Sequence, residues 1–351
     1  MTVIVCLMTR QILVWMQTPD NIIDGAYSYI FFVFAGIPAT YLYNTLAGII
    51  RALGDSKTPV YFLILSSLLN IALDLLFIVQ IGTGTAGAAY ATVISQAVSG
   101  ILCLIYMKKK FDILKMHREE TRISTYHLYR LCMMGIPMGL QYSITAIGSI
   151  VLQSAVNGLG SRYVASVAAG TKLFQVICCP FDAMGATMAT YCGQNVGAIK
   201  LDRLGQGLRA CSLLGLGYAL LSFASIFFFA PQMALLFLNP GEEALIGYTA
   251  QYITTLGAFF FPLALVNILR FSIQGMGFSN LAILAGVMEM FARMGVATLL
   301  VPAIGYTGAC FASPAAWICA DLFLIPASCW SIAHLRRVYG QPGERSGSPA
   351  P

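Results

Sequence analysis

Residues 51–91 read RALGDSKTPVYFLILSSLLNIALDLLFIVQIGTGTAGAAYA, and residues 274–312 read QGMGFSNLAILAGVMEMFARMGVATLLVPAIGYTGACFA. Laid 223 positions apart, Gly54 falls on Gly277, Ser56 on Ser279 and Ile81-Gly82 on Ile304-Gly305. After a gap of two residues, Gly87-Ala88 falls on Gly308-Ala309 and Ala91 on Ala312. Upstream, Tyr29-Ile30 matches Tyr252-Ile253 and Asn44 matches Asn267. Leucine matches are cheap in so apolar a chain, whereas Asn, Tyr and Gly matches at one offset are not. An internal repeat decides architecture before any local reading does.

Working outward, the 351 residues are 58% hydrophobic and only 10% charged, against about 25% charged in a soluble domain. Glycine recurs inside long apolar runs, as in closely packed membrane helices. The fold class is an all-α polytopic membrane protein. The net charge of +6 does not point to nucleic acid, because the basic residues sit in short joints. The ten Cys lie in or beside apolar runs without metal-ligand spacing and read as packing thiols. His117, His127 and His334 stand near span ends and form no cluster. A cleavable signal peptide is not visible.

A hydrocarbon core of ~30 Å needs about 20 apolar residues per helix. Ten spans follow, near residues 2–16, 26–50, 58–80, 85–107, 128–156, 163–192, 206–230, 246–270, 279–303 and 307–333, the first too short to cross comfortably. Alternate joints carry Arg51 and Lys57; Lys108, Lys109, Lys110, Lys115, Arg118 and Arg122; Lys200, Arg203 and Arg209; and Arg336, Arg337 and Arg345. The opposite joints carry Asp20, Asp24, Glu242 and Glu243, with Arg162 as the basic exception. The basic side is expected to be cytoplasmic. The reading divides the chain into an N-terminal bundle (1–107, four of six helices), a basic cytoplasmic linker (108–127), a six-helix C-terminal bundle (128–335) and a disordered cytoplasmic tail (336–351). Nothing in the first half corresponds to residues 128 to about 223, so two helices and part of a third are expected to be missing upstream. Two bundles of six would share one orientation, a parallel repeat about an axis along the membrane normal.

Polar groups at membrane depth are costly, about 2.5–3.5 kcal/mol for a charge on insertion scales, and mark candidate sites. Gln141, Thr145, Ser149, Gln153 and Asn157 recur every four residues and share one helix face. That face either glues helices together or lines a wet cavity. Glu289 and Arg293, one turn apart, form a salt bridge or an ion-exchanging carboxylate with its restraint. Asn70 and Asp74 repeat that spacing. Lys172 and Asp182 lie in the sixth span, with Gln175 between them, and Asp321 in the tenth, where bulk water is expected to be nearer. Lys172 and Arg293 read as the only deep cations. Phosphate-loop, His-Glu-x-x-His and Ser/His/Asp signatures are absent from the sequence, which leaves an ion gradient rather than bound ATP as the source of work and gives no reason to expect an enzyme or a cofactor.

Arg51-Ala-Leu-Gly-Asp-Ser, Leu69-Asn-Ile-Ala-Leu-Asp, Gly84-Thr-Ala-Gly-Ala-Ala-Tyr-Ala-Thr, Gly135-Ile-Pro and Gly193-Gln-Asn-Val-Gly-Ala, in this order, resemble the multidrug and toxic compound extrusion (MATE) family, over nearly the whole chain. The resemblance implies two six-helix bundles facing a cavity, here clipped at the N-terminus. It implies a secondary antiporter of the cell membrane that exports cationic or amphipathic compounds in exchange for H+ or Na+, expected to act as a monomer. Some family members place a glutamate where this chain has Thr145 and an aspartate where it has Asn267, so the coupling ion stays open. The rival readings are a lipid-linked saccharide flippase of related plan, which would need a strongly basic cavity, and a membrane enzyme acting on lipid.

Overall fold

The computed structural model describes residues 2–15, 23–112 and 124–339, and it divides into two compact units, Met1–Arg122 and Ile123–Pro351. In the first unit α1 (Thr2–Trp15) precedes a bent pair, α2 (Ile23–Ala35) and α3 (Ile37–Ala52), then α4 (Lys57–Asp74) and α5 (Thr85–Lys110). The α2–α3 bend of 41° falls at Gly36, just before Pro38 in the first turn of α3. Proline is tolerated there because its missing N–H would be unsatisfied anyway. A Cβ on Gly36 would lie 2.2 Å from Val93, so α5 packs closely against the bend. A small core of Tyr43, Leu46, Ala47, Ile50 and Cys103 joins α3 to α5, and the Tyr43 hydroxyl donates to the Pro59 carbonyl of α4 at 3.1 Å.

The second unit runs α6 (Thr125–Leu159), α7 (Ser161–Gly197), α8 (Asp202–Ala234), the bent pair α9 (Glu243–Ala258) and α10 (Phe260–Gly275), α11 (Ser279–Gly295), two short helices α12 (Val301–Ile304) and α13 (Tyr306–Cys310), and α14 (Ala312–Tyr339). Small residues set its spacing. A Cβ on Gly275 would meet the Ala189 carbonyl oxygen at 2.3 Å, and one on Gly170 would meet the Tyr252 ring at 2.5 Å. These are the close backbone approaches that membrane bundles use when lipid is as apolar as their side chains. Phe181, Phe260, Ile253, Ile268 and Leu324 fill the centre.

The sequence repeat recurs in the backbone of each unit. Both Gly54 and Gly277 have φ +94°, a left-handed position that a Cβ disfavours. Each ends its helix with the same pair of bonds. Gly54 N–H donates to Arg51 O and Asp55 N–H to Ile50 O; Gly277 N–H donates to Gln274 O and Phe278 N–H to Ile273 O. That 6→1 and 5→2 pairing satisfies the orphan carbonyls of a helix end. Further on, a π turn interrupts each following helix, at Leu75–Gln80 and Val296–Leu300, and Gly82 (φ +73°) and Gly305 (φ +62°) end both segments. The bends also correspond, 41° after Ala35 and 53° after Ala258.

One joint differs between the units. In the first, Asp55 Oδ2 accepts from the Tyr106 hydroxyl (2.5 Å), Thr58 Oγ1 (2.8 Å) and Lys110 Nζ (3.1 Å), and Oδ1 from the Thr58 N–H (3.1 Å). The Tyr106 hydrogen bond first, with those from Thr58 and Lys110, holds the Asp55 carboxyl well below the usual carboxylate range. In the second unit the matching residue is Phe278, packed edge-on against Trp330 (5.7 Å) and His334 (5.8 Å).

Seven described helices are long and apolar enough to cross a membrane, and nine if each bent pair counts as one span. With the short Thr2–Trp15 helix these match the ten expected segments, although 26–50 and 246–270 are not straight. The expected linker at 108–127 begins later, because Lys108–Lys110 continue α5, where cations suit a helix C-terminus. Its far end is also helical from Thr125. The tail expected from 336 is helical through Tyr339, with Arg336 Nη2 3.3 Å from Asp202; residues 340–351 lie outside the described residues.

Candidate functional site

The second unit contains a cavity of about 560 Å³. Its walls come from α6 (Ser149, Gln153), α7 (Thr171, Phe174, Gln175, Asp182), α9 and α10 (Tyr252, Asn267, Arg270), α11 (Glu289, Arg293) and α14 (Ser313, Trp317). The volume lies within the range of small-molecule sites, about 300–1,000 Å³. Glycines bring the walls to this distance. A Cβ on Gly286 of α11 would touch Gln141 of α6 at 3.0 Å, and one on Gly148 of α6 would meet Met290 of α11 at 3.1 Å. Phe174 and Trp317 lie almost parallel, 10° apart at 5.8 Å, giving the cavity an aromatic wall.

Behind the polar wall sits a buried charge cluster. Glu289 is 3% exposed. Arg270 Nη2 donates to Glu289 Oε1, and Arg293 Nη1 donates to Oε2 at 3.2 Å. The carboxylate is thus clamped by two guanidinium groups from two helices, a charge-assisted arrangement that holds one geometry. Gln141 extends the network. With its amide oxygen turned toward Arg270, it accepts from Nε and Nη1, each at 3.2 Å, and its other amide atom lies 2.9 Å from the Gln274 amide. Asp321 is 7% exposed on α14, and its Oδ1 has no hydrogen-bond partner among the described residues.

The sequence-derived candidates separate into three groups. Ser149, Gln153, Asp182, Asn267, Glu289 and Arg293 come together around the cavity. Gln141 stands behind them, 1% exposed, and the buried Thr145 Oγ1 has no hydrogen-bond partner among the described residues. Asn157 stays on the outer turn of α6, bonded to Gln153 at 2.9 Å. Asn44, Asn70 and Asp74 belong to the first unit. Asn44 is exposed and donates to its own helix at Thr40 O (3.0 Å). Asn70 reaches Thr92 Oγ1 at 3.4 Å, and Asp74 keeps a buried Oδ1 without a partner among the described residues.

Lys172 does not join the site: its side chain is exposed, and Nζ lies over the Phe237 ring at 5.8 Å. A four-carbon stem lets the ammonium reach away from the position of its Cα. Asp321 does not face bulk water but is buried. The sequence reading missed Arg270 and Gln274 altogether. A span drawn to end at 270 makes Arg270 an interfacial residue, whereas α10 continues to Gly275 and carries both side chains inward.

A family model, MatE, matches residues 1–76 and 137–299, more than half of the chain. The chain belongs to the MatE family. Within that family it is similar to the "Probable multidrug resistance protein YpnP" of Bacillus subtilis (strain 168), with 31% identity over 72% of this chain and 56% of the relative. It is also similar to an "FAD transporter" of Shewanella oneidensis, with 26% identity over 69% of this chain and 54% of that one. This MatE chain therefore spans a little over half the length of the curated relatives it matches. Among solved structures, the outward-facing conformation of a multidrug resistance MATE family transporter of the MOP superfamily superposes with a TM-score of 0.89 at 22% identity, covering 96% of this chain and 76% of that one. That likeness establishes the fold: a multi-pass, two-bundle helical membrane protein.

Proposed function

We propose that the chain exports cationic or amphipathic small molecules across the cell membrane by alternating access, driven by exchange for H+ or Na+. The observation that carries this reading is the cavity walled by five membrane spans and backed by the Arg270–Glu289–Arg293 clamp. A charge set of this kind, inside a span rather than at its end, is expensive in lipid and is retained where ions or substrates pass. The flat wall of Phe174 and Trp317 suits a planar apolar body, and Asp182 at the cavity surface suits its positive charge. The names of the curated relatives support the same reading. With the basic joints on the cytoplasmic side, the linker and C-terminus face inward and export runs away from them.

The test is ethidium movement in vesicles reconstituted with the 351-residue chain. Movement that requires an imposed pH or sodium gradient supports the proposal, and the effective gradient names the ion. Movement of saccharide-linked lipid instead of ethidium would favour a flippase. In that case Arg270 and Arg293 would be the phosphate-facing cations.

A further inference from the structure

Resting on the reading of the cavity as a substrate path, and narrowing the amphipathic molecules it takes, we propose that Arg293 is an anion subsite. The cavity then accepts flat aromatic compounds that carry a carboxylate or a phosphate. The clamp behind the cavity is not neutral. Arg270 and Arg293 are positive and Glu289 is negative, so one positive charge is left over at the cavity wall. The hydrogen bonds locate it. Both Glu289 oxygens are taken, Oε1 by Arg270 and Oε2 by Arg293. Arg270 is engaged on every side, Nη2 by Glu289 and Nε and Nη1 by the Gln141 amide oxygen. Arg293 engages only Nη1, although its side chain is more than nine-tenths buried. Its Nε and Nη2 make no hydrogen bond to any described residue, and they are not closed off from the cavity that Arg293 lines. That free edge is a fork of N–H donors whose spacing matches two oxygens of a carboxylate or phosphate.

A half-used guanidinium inside a membrane bundle is costly. A ligand anion that meets it neutralises the surplus charge and completes the donor set. The chain does not supply that anion itself. Asp182 is the other acid on the cavity wall, and it forms no ion pair with either arginine among the described residues. The rest of the ligand is set by the aromatic wall. Phe174 and Trp317 line the same space with their ring planes 10° apart, so a planar body can lie against them while its anionic group reaches Arg293. A volume of about 560 Å³ suits a compound of a few fused rings. A lipid headgroup would bring the same phosphate without a ring and would leave the aromatic wall unused, which favours the aromatic acid.

Equilibrium dialysis of the full chain in nanodiscs of zwitterionic lipid, with empty nanodiscs as the blank, tests this without any gradient. The probes at neutral pH are 2-naphthoate, its uncharged counterpart 2-naphthamide, and glycerol phosphate, which carries a headgroup anion and no ring. Naphthoate should bind roughly tenfold tighter than naphthamide or better, the scale of one hydrogen bond to a charged group. Glycerol phosphate at equal concentration should not displace it. Arg293→Gln should bring naphthoate down to the level of naphthamide, whereas Trp317→Leu should weaken both and keep their ratio. Equal binding of naphthoate and naphthamide by the wild type, or a preference that survives Arg293→Gln, overturns the proposal. Displacement by glycerol phosphate overturns it in favour of a lipid headgroup. If Arg293→Gln fails to fold, Arg293→Lys replaces it: the ammonium keeps the charge and lacks the fork, so the preference should shrink, and an unchanged preference also overturns the assignment. Failure of the wild type to move ethidium would remove the exporter reading alone, since the dialysis decides the anion subsite without transport.

Discussion

Glu289→Gln should destabilise the second unit by about 3 kcal/mol, within the ~3–5 kcal/mol range for removing one partner of a buried ion pair. The magnitude follows from the clamp. The side chains of Arg270, Glu289 and Arg293 are 11%, 3% and 8% exposed, so water recovers little when the charge goes. Gln keeps the shape and one acceptor oxygen, so one guanidinium retains a neutral partner. The other faces an amide NH2 and loses a charge-assisted bond of about 1.5–3 kcal/mol. A change of 3 kcal/mol is roughly a hundredfold in the unfolding equilibrium. It can be read from reversible unfolding in mixed detergent micelles. A companion triple variant, Arg270→Met with Glu289→Met and Arg293→Met, should recover stability to within about 1 kcal/mol of wild type, because apolar replacement of a buried ion set is often neutral. A loss below about 1 kcal/mol in Glu289→Gln, the range of an exposed pair, would refute the buried-clamp account.

Gly54→Ala and Gly277→Ala should each cost about 1–2 kcal/mol, because both replace a glycine at φ +94° with open space around it; unequal losses in a paired unfolding experiment would argue against a shared turn. Gly275→Ala should cost about 1–3 kcal/mol or more by forcing α7 and α10 apart, since its Cβ would lie 2.3 Å from the Ala189 oxygen, with thermal unfolding as the readout. Asp55 has a folded pKa below its unfolded one, so its stabilisation is present above the ordinary carboxylate range and fades as pH falls through and below about 4. Wild type should therefore lose stability on acidification, and Asp55→Asn should lose less over the same interval.

The repeat was legible because its marks are glycines whose left-handed backbone no other residue adopts cheaply, and Gly54 and Gly277 carry that requirement in the sequence itself. Span existence was legible from apolar length. The bends were not, since Gly36 and Phe259 share no residue type and each bend depends on what packs beside it. At the site, Glu289 and Arg293 were readable as a one-turn pair, and the α6 stripe as one face. Arg270 and Gln274 were not, because each acts across helices: Arg270 on Glu289 and Gln274 beside Gln141. Lys172 shows the converse. Its position in the sequence is deep, but its charge lies at Phe237, and no local pattern records the direction a long side chain takes.

The central claim is that the cavity of the second unit is the substrate path. The most direct measurement is gradient-driven ethidium movement in vesicles carrying wild type or Ser149→Trp, which places an indole into the 560 Å³ space from the exposed face of α6. The account predicts movement with wild type and at least a tenfold loss with the variant at equal reconstituted, folded protein. Equal movement by both would contradict it.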